Sequence, residues 1–161
     1  MATDGHSFVI NAGRTFPAVP DSVAEARRFL ADQLDGRYPP DLVDVALLCL
    51  SEALTNSIRH SRSGLPRPVG SAPAAPGVVV LRVHSSRHRP HMHVDVQDEG
   101  PRQPGLLPRL LPESSNLLTE GGYGMRLIDR YTQQWTVRPS PAATCLSLTF
   151  DPTTLPHQRI R

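Results

Sequence analysis

Apolar residues recur along the chain with two different spacings, and the change of spacing separates strands from helices. Alternation of β-branched or aromatic residues with polar ones predicts strands, whereas apolar residues three and four apart predict amphipathic helices. The order is one strand, two helices, a hairpin, an irregular segment, a short helix and a second hairpin. The predicted elements are a strand over 7–16, a helix from Asp21 or Ser22 to Gly36, a helix from Pro39, Pro40 and Asp41 to Gly64, strands over 78–86 and 91–100, two glycines followed by a short helix within 122–132, and strands over 133–140 and 144–152.

This order predicts an α/β fold in a single domain over 1–161, with its core at about 7–151. Helices that bury one stripe each need a sheet to pack on, which predicts a two-layer sandwich: a mixed, mostly antiparallel sheet with helices on one face. Residues 64–77 are rich in glycine, proline, alanine and serine and predict a flexible surface loop. Residues 101–121 set prolines among leucines and predict a mobile lid.

The longest predicted helix carries a polar face beside its apolar one. The polar residues on that face follow at steps of four, three and one: Glu52, Asn56, Arg59 and His60. An amide oxygen at Asn56 can bind a hard cation such as Mg²⁺, and a carboxylate at Glu52 can accept a proton from an attacking hydroxyl group. Taken alone, the segment is explained more simply as the solvated face of an amphipathic helix.

Two other segments carry candidate chemistry. In VDVQDEGP, Asp98 ends a predicted strand, where its carboxylate can accept a hydrogen bond from an amine such as that of adenine, and Gly100 allows close approach to the base. In EGGYGMRLID, Gly122 and Gly124 precede a predicted helix whose free N–H groups can bind phosphate. Alone, each segment is explained more simply as a turn after a strand and a glycine turn before a helix.

In this order, the three segments resemble the histidine-kinase-like ATPase superfamily, which includes gyrase, Hsp90, sensor kinases and the MutL mismatch-repair proteins. SEALTNSIRH is similar to its N box, E-x-x-x-N, DEG to its D-x-G box, and GGYG to the glycine box at the lid hinge. The resemblance spans about 12–150 and looks strongest to the bacterial anti-sigma-factor serine/threonine kinases, because GYGMRLID is similar to their third box. It implies the Bergerat ATP-binding fold, with 101–121 as the ATP lid.

The resemblance implies a role for each matched residue. Glu52 is implied to be the catalytic general base and Asn56 the Mg²⁺ ligand, which makes ATP and Mg²⁺ the implied cofactors. Asp98 is implied to bind the adenine amine, and the glycines of the third box to hinge the lid and carry the phosphates. We expect Arg59 to be an accessory phosphate contact. The residues implied to bind ATP are Asn56, Arg59, Asp98, Gly100, Gly122 and Gly124.

The composition restricts the possible chemistry. All 17 basic residues are arginine, so a P-loop and Schiff-base catalysis, which both need lysine, are excluded. Phosphates must therefore be neutralised by a metal ion, arginine or helix N-termini. The net charge of +2 comes from scattered arginines and does not favour direct nucleic-acid binding. No signal peptide or membrane-spanning apolar run is apparent, so we expect a cytoplasmic protein without membrane contact.

Several other residues have simple structural interpretations. A cluster of histidines near the tip of the first hairpin favours a polar tip, with a transition-metal site as the alternative: His84, His88, His91 and His93. We expect both cysteines, Cys49 and Cys145, to be reduced and buried. We also expect Trp135 to pack in the core and His60 to be structural.

The leading functional hypothesis is a serine/threonine protein kinase of the anti-sigma type. It would phosphorylate an anti-sigma antagonist, by resemblance a STAS-like protein, and regulate a sigma factor. One alternative is an ATP-dependent protein-binding module with little or no kinase activity, and another is a detached catalytic domain of a sensor kinase. Glu52 favours the kinase, because a pure binder needs no base. The leucines of 101–121 are expected either to dock a partner or to fold back on the sheet, and relatives of this type imply a homodimer.

Overall fold

The computed structural model describes residues 9–87, 89–111 and 122–154. Within these ranges the predicted order of helices and strands is confirmed, with two further strands between the second helix and the first hairpin. The helices are α1 (Ser22–Leu34), α2 (Pro40–His60) and α3 (Gly122–Tyr131), and the strands are β1 (Ile10–Pro17), β2 (Arg67–Val69), β3 (Ala72–Ala75), β4 (Val78–Ser86), β5 (Arg89–Asp98), β6 (Gln134–Pro139) and β7 (Thr144–Phe150).

Five strands form the main sheet in the order β1-β4-β5-β7-β6. Every neighbouring pair in it is antiparallel, including the predicted hairpins β4–β5 and β6–β7. The predicted class, an α/β fold with a largely antiparallel sheet, is confirmed, and no parallel pair occurs among the described strands of this sheet.

The two faces of the sheet differ because side chains alternate along each strand. Leu81 lies opposite Val96, and Val83 opposite Val94, and all four side chains are buried. The residues between them, such as Arg82 and His84, point to the other face and are exposed. The sheet is therefore apolar on one face and polar on the other.

The helices bury their apolar stripes against that apolar face. α1 packs on β1 and β4, α2 on β5 and β7, and α3 on β6. α1 ends at Leu34, followed by Gly36 with a left-handed φ of +67°, which confirms the predicted end of this helix. α2 starts at Pro40, where the missing N–H of proline has no cost because the first turn leaves it without an intrahelical partner.

Residues 64–77 contain secondary structure that the sequence pattern did not reveal. β2 and β3 form a small antiparallel hairpin around Gly70, whose φ is +60°. Their residues are exposed, so the segment predicted as a flexible surface loop contains two paired strands on the surface. Because neither strand buries a face, the sequence has no apolar alternation from which to predict them.

Candidate functional site

A cavity of about 320 Å³ opens beside the C-terminal half of α2. Its walls come from α2, the end of β5, the segment after β5, α3 and β7. The lining residues are Ala53, Asn56, Ser57, His60, Ser61, Asp98, Pro101, Leu106, Leu107, Pro108, Arg109, Leu111, Met125, Thr144 and Leu146. The N-box asparagine and the D-x-G aspartate, which are far apart in sequence, thus share one cavity.

Asp98 is held in this cavity by three hydrogen bonds. The Ser57 hydroxyl donates to Oδ2 at 2.9 Å, the Gly100 N–H donates to Oδ1 at 2.8 Å, and the backbone of Thr144 also donates to this carboxylate. Burial raises the pKa of Asp98 above its ordinary value, although these hydrogen bonds act in the opposite direction. The result is an oriented, partly desolvated acceptor, which suits recognition of an amine.

Thr144 is the most informative residue that the sequence interpretation missed. It lies directly opposite Asp98 across β5 and β7 and is only 4% exposed. Its hydroxyl is buried and has no hydrogen-bond partner among the described residues. Since a buried hydroxyl without a partner is costly, this oxygen is suited to bind a ligand or a water molecule in the cavity. Nothing in the sequence reveals that Thr144 and Asp98 are paired, because only the strand register brings them together.

Ser57 was missed for a different reason. It immediately follows Asn56, and its side chain is nearly buried and points to Asp98. A serine inside an apolar helix is common, so its type alone carries no signal. Its adjacency to the N-box asparagine is the only clue in the sequence.

Glu52 and Gly124 meet where α2 packs against α3. A Cβ atom on Gly124 would lie 2.7 Å from Oε2 of Glu52 and 3.4 Å from Nδ2 of Asn56. The absence of a side chain at Gly124 therefore lets the first turn of α3 approach the implied base and the implied metal ligand. Glu52 itself does not line the cavity but lies one turn of α2 before Asn56.

The glycines of the third box lie differently from the prediction. Gly122 is the first residue of α3 and Gly124 lies in its first turn, so the prediction that both precede the helix is wrong. The physical reason is that α2 stabilises this turn by packing, which overrides the low helix propensity of glycine.

Arg59 and His60 lie next to each other at the C-terminal end of α2. Arg59 is exposed and does not line the cavity, whereas His60, which we expected to be structural, forms part of its wall.

Two arginines fix the turn that follows Asp98 to the C-terminal end of α2. Arg102 donates from Nη2 to the Ile58 carbonyl at 3.0 Å and from Nε to the Ser61 carbonyl at 2.9 Å. Arg62 donates from Nε to the Glu99 carbonyl at 2.8 Å. The bonds from Arg102 satisfy carbonyl groups at the end of α2, where intrahelical partners run out, and the bond from Arg62 joins this end to the turn after β5.

The segment after this turn folds back over the cavity. Leu106, Leu107 and Leu111 line it, so part of this segment contacts the protein itself. Leu106 and Leu110 are nevertheless 49% and 40% exposed, so part of this apolar surface stays accessible. The remainder of the predicted lid, 112–121, lies outside the described residues.

The other candidate residues form no second site within the described ranges. His84 and His93 stack on the polar face of the sheet with ring centroids 4.8 Å apart, and His91 and Asp151 are 4.0 Å apart. No cluster of three or more metal-binding His, Cys, Asp or Glu side chains occurs among the described residues. His88 lies outside them.

The two cysteines and the tryptophan differ in how deeply they are buried. Both cysteines are free, as expected. Cys49 is buried, which raises its pKa to about 12, whereas Cys145 is only half-buried, so the expectation that both are buried is wrong. Trp135 packs against the core and donates from Nε1 to Asp129 at 3.0 Å. Across the described ranges, no helix is long and apolar enough to cross a membrane.

Comparison with known proteins places this chain in a family. Residues 16–150 match the family model for the histidine kinase-like ATPase domain, and the chain therefore belongs to that family. The fold is similar to the crystal structure of the RsbU and RsbW domains of Rv1364c from Mycobacterium tuberculosis, with a TM-score of 0.61 and 13% sequence identity. The similarity covers 88% of this chain and 32% of that chain, so this chain spans about a third of its length. No curated protein matches the sequence.

The side chains present fit a nucleotide such as the family implies. A carboxylate at Asp98 and the unpaired hydroxyl of Thr144 offer polar contacts to a base, and Ala53, Met125 and Leu146 give it apolar walls. The Asn56 amide offers an oxygen ligand to Mg²⁺, an ion that also takes ligands from water and phosphate and needs no all-protein cage. The donor set is thus compatible with ATP and Mg²⁺.

Proposed function

We propose that this domain binds ATP with Mg²⁺ and transfers the γ-phosphoryl group to a serine or threonine of another protein. The observation that carries the proposal is the convergence of Asp98, Thr144 and Asn56 on one cavity, with Glu52 packed against the first turn of α3 at its side. By family resemblance, the acceptor is an anti-sigma antagonist, and the domain regulates a sigma factor through it.

The base-binding part of the site is built to recognise an exocyclic amine. Ser57 and Gly100 occupy one lone pair on each oxygen of Asp98, which orients the carboxylate and leaves further lone pairs for adenine. The 6-oxo group of guanine would present an acceptor to this acceptor, and an unpaired polar contact in a buried site is costly. We therefore expect ATP to bind much more tightly than GTP.

The proton transfer is assigned to Glu52. The acceptor hydroxyl oxygen forms a bond to the γ-phosphorus, the bond from that phosphorus to the β–γ bridging oxygen breaks, and ADP leaves. The hydroxyl proton passes to the Glu52 carboxylate. Mg²⁺, held by Asn56, would supply neutralisation of phosphate charge, and the first N–H groups of α3 would add to it.

Exposed apolar side chains beside the cavity support a protein as the acceptor of the phosphoryl group. Leu106, Leu110 and Tyr123 are 49%, 40% and 56% exposed, and two of them lie in the segment that covers the cavity. Exposed apolar side chains grouped beside a nucleotide site favour docking of a protein surface. The same surface supports the second candidate, an ATP-dependent binding module, which would dock the partner without transfer.

Substitution of Glu52 by glutamine separates these two functions. The variant keeps the size and hydrogen-bonding capacity of the side chain but cannot take up the proton, so we expect ATP affinity to be retained and phosphoryl transfer to fall by about 10²–10⁴-fold. The measurements are calorimetric ATP binding and incorporation of label from radiolabelled ATP into an antagonist-like domain encoded near the protein. The matched control is Asp44→Asn, an exposed carboxylate on the same helix.

The outcomes distinguish the candidates. Transfer by wild type and Asp44→Asn, but not by Glu52→Gln, would support the kinase. A nucleotide-dependent complex with no label in any variant would support the binding module. Transfer by Glu52→Gln at the wild-type rate would remove Glu52 from the mechanism.

A further inference from the structure

Glu99, the middle residue of the D-x-G segment, makes hydrogen bonds to other segments through both its side chain and its backbone. Both carboxylate oxygens lie 2.7 Å from Nη2 of Arg67, and Oε2 accepts a hydrogen bond of 3.3 Å from the Val78 N–H. The backbone N–H of Glu99 donates to the Ser63 hydroxyl at 2.9 Å, and its carbonyl accepts from Arg62 at 2.8 Å. The residue therefore connects several segments that are distant in sequence.

The carboxylate of Glu99 reaches both ends of the β2–β3 hairpin segment. Arg67 is the first residue of β2, and Val78 is the first residue of β4, directly after the segment returns. At Gly77 a Cβ atom would lie only 1.7 Å from Oε2 of Glu99, so the carboxylate occupies space that a side chain at this position would need. Gly77 thus admits the carboxylate between the two ends of the segment.

Ser63 joins this arrangement to the end of α2. Ser63 is fully buried, its hydroxyl accepts from the Glu99 N–H, and its carbonyl accepts from the Gly77 N–H at 2.7 Å. Its own N–H donates to the Ser61 hydroxyl at 3.1 Å, and Ser61 lines the nucleotide cavity. Hydrogen bonds therefore run from the base of the hairpin, through Glu99 and Ser63, to the cavity wall.

The charge of Glu99 is stabilised by the same contacts. The hydrogen bond from Arg67 is the main reason that its pKa lies below the ordinary value for glutamate. At neutral pH the carboxylate is ionised, and the contact with Arg67 is a charge-assisted hydrogen bond. Asp98, the neighbouring residue, makes none of these contacts with the hairpin and keeps its carboxylate for the cavity.

We propose that Glu99 and Arg67 are positioning residues for nucleotide binding: the clamp formed by them holds the base of the β2–β3 hairpin and thereby fixes the turn that presents Asp98. This inference rests on the proposed binding of ATP in the cavity. When the clamp is absent, the turn samples other conformations. The apparent affinity for the nucleotide then falls in proportion to the fraction of molecules whose turn keeps the binding-competent conformation. By reciprocity, a bound nucleotide stabilises the hairpin.

The test uses Glu99→Gln, which keeps the shape of the side chain but replaces the carboxylate that accepts the hydrogen bonds from Arg67 by a neutral amide. We expect adenosine and ATP to bind about 5-fold more weakly, the upper end of what an exposed ion pair contributes. Hydrogen exchange at the amides of 67–75 should become faster, and ATP should slow it in the wild type but less in the variant. A general loss of stability would not confine the faster exchange to these amides.

The matched control is Glu25→Gln, which removes the exposed Arg14–Glu25 ion pair between β1 and α1, away from the cavity. It should bind adenosine as the wild type does. Arg67→Gln should reproduce the loss seen for Glu99→Gln, and the double variant should lose no more than either, because both remove one contact. Arg67→Gln also keeps the inference testable if Glu99→Gln fails to fold.

Each result has one meaning. Unchanged adenosine affinity in Glu99→Gln and Arg67→Gln, or losses that add in the double variant, would overturn the clamp while leaving the proposed function intact. Failure of the wild type to bind ATP and adenosine would overturn the proposed function, and the positioning role with it.

Discussion

At the scale of single residues, Asp98 shows a conflict between stability and binding. Its carboxylate is partly removed from water, which disfavours the charged form and raises its pKa, yet the charged form is the better acceptor for an amine. Hydrogen bonds from Ser57 and Gly100 lower that cost without removing it. A group kept in this condition beside a cavity is typical of a functional site rather than of a packed core.

We expect adenosine binding to weaken as the pH falls into the acidic range, and to do so at a higher pH than an ordinary aspartate would allow. Because burial raises the pKa of Asp98 above 3.8, protonation begins at a higher pH than for an ordinary aspartate, and the protonated group loses its charge as an acceptor. Calorimetric titration of adenosine at several pH values measures this change, and adenosine avoids the titration of the phosphates.

Asp98→Asn is the control for this pH dependence. It should bind adenosine weakly at every pH and keep or gain thermal stability at neutral pH, because a buried charge whose pKa is raised in the folded state opposes folding once it is ionised. A wild-type affinity that does not change with pH, or an Asp98→Asn variant that binds as tightly as wild type, would contradict the assignment of Asp98.

At the scale of secondary-structure elements, the approach of α3 to α2 decides the geometry of the site. α2 presents Glu52 and Asn56 one turn apart, and Gly124 lets the first turn of α3 lie against both. Glycine is a poor helix former, costing about 1 kcal/mol relative to alanine, so this helix gives up intrinsic stability for close contact.

Gly124→Ala should therefore separate folding from activity. Alanine favours the helix, but its Cβ would lie 2.7 Å from the Glu52 carboxylate and displace it. We expect little change in the thermal midpoint and at least a roughly tenfold loss of phosphoryl transfer, since small displacements of a reacting group are costly. The control is Gly13→Ala, whose Cβ would meet only ordinary contacts of 3.4 and 3.5 Å. Wild-type transfer by Gly124→Ala would show that the close contact has no catalytic consequence.

At the scale of the whole molecule, stability comes from one apolar layer between the sheet and the helices. Leu81 of β4 is completely buried in it, whereas its neighbour Arg82 lies on the opposite face, exposed and bonded to Gln97. The site is built at the edge of this layer, where Leu146 and Met125 belong both to the core and to the cavity wall.

Leu81→Ala should lower the free energy of unfolding by about 2–5 kcal/mol, because it removes buried methyl groups and leaves a cavity. Arg82→Ala, at the next position, should change it by no more than about 0.5 kcal/mol, as for most surface substitutions. Urea denaturation of the nucleotide-free protein measures both. Equal effects of the two substitutions would contradict the assignment of the two faces of the sheet.

The sequence by itself determined the elements that have strong local patterns. The alternation in β4 and β5 predicted a hairpin, the 3.6-residue spacing predicted α1 and α2, and Gly36 predicted the end of α1. The three boxes identified the chain as resembling the histidine-kinase-like ATPases, which the family match confirms. These features lie within short stretches of chain, where side-chain spacing and backbone conformation are directly linked.

Only the tertiary structure decided the contacts that join distant segments. The register of β5 and β7 places Thr144 opposite Asp98, and packing against α2 draws Gly122 and Gly124 into α3. The β2–β3 hairpin buries no face of its own, and the ion pair between Arg67 and Glu99 joins its first residue to the turn after β5. No local pattern encodes these contacts, because each depends on how separate elements pack, and packing is set by the whole core.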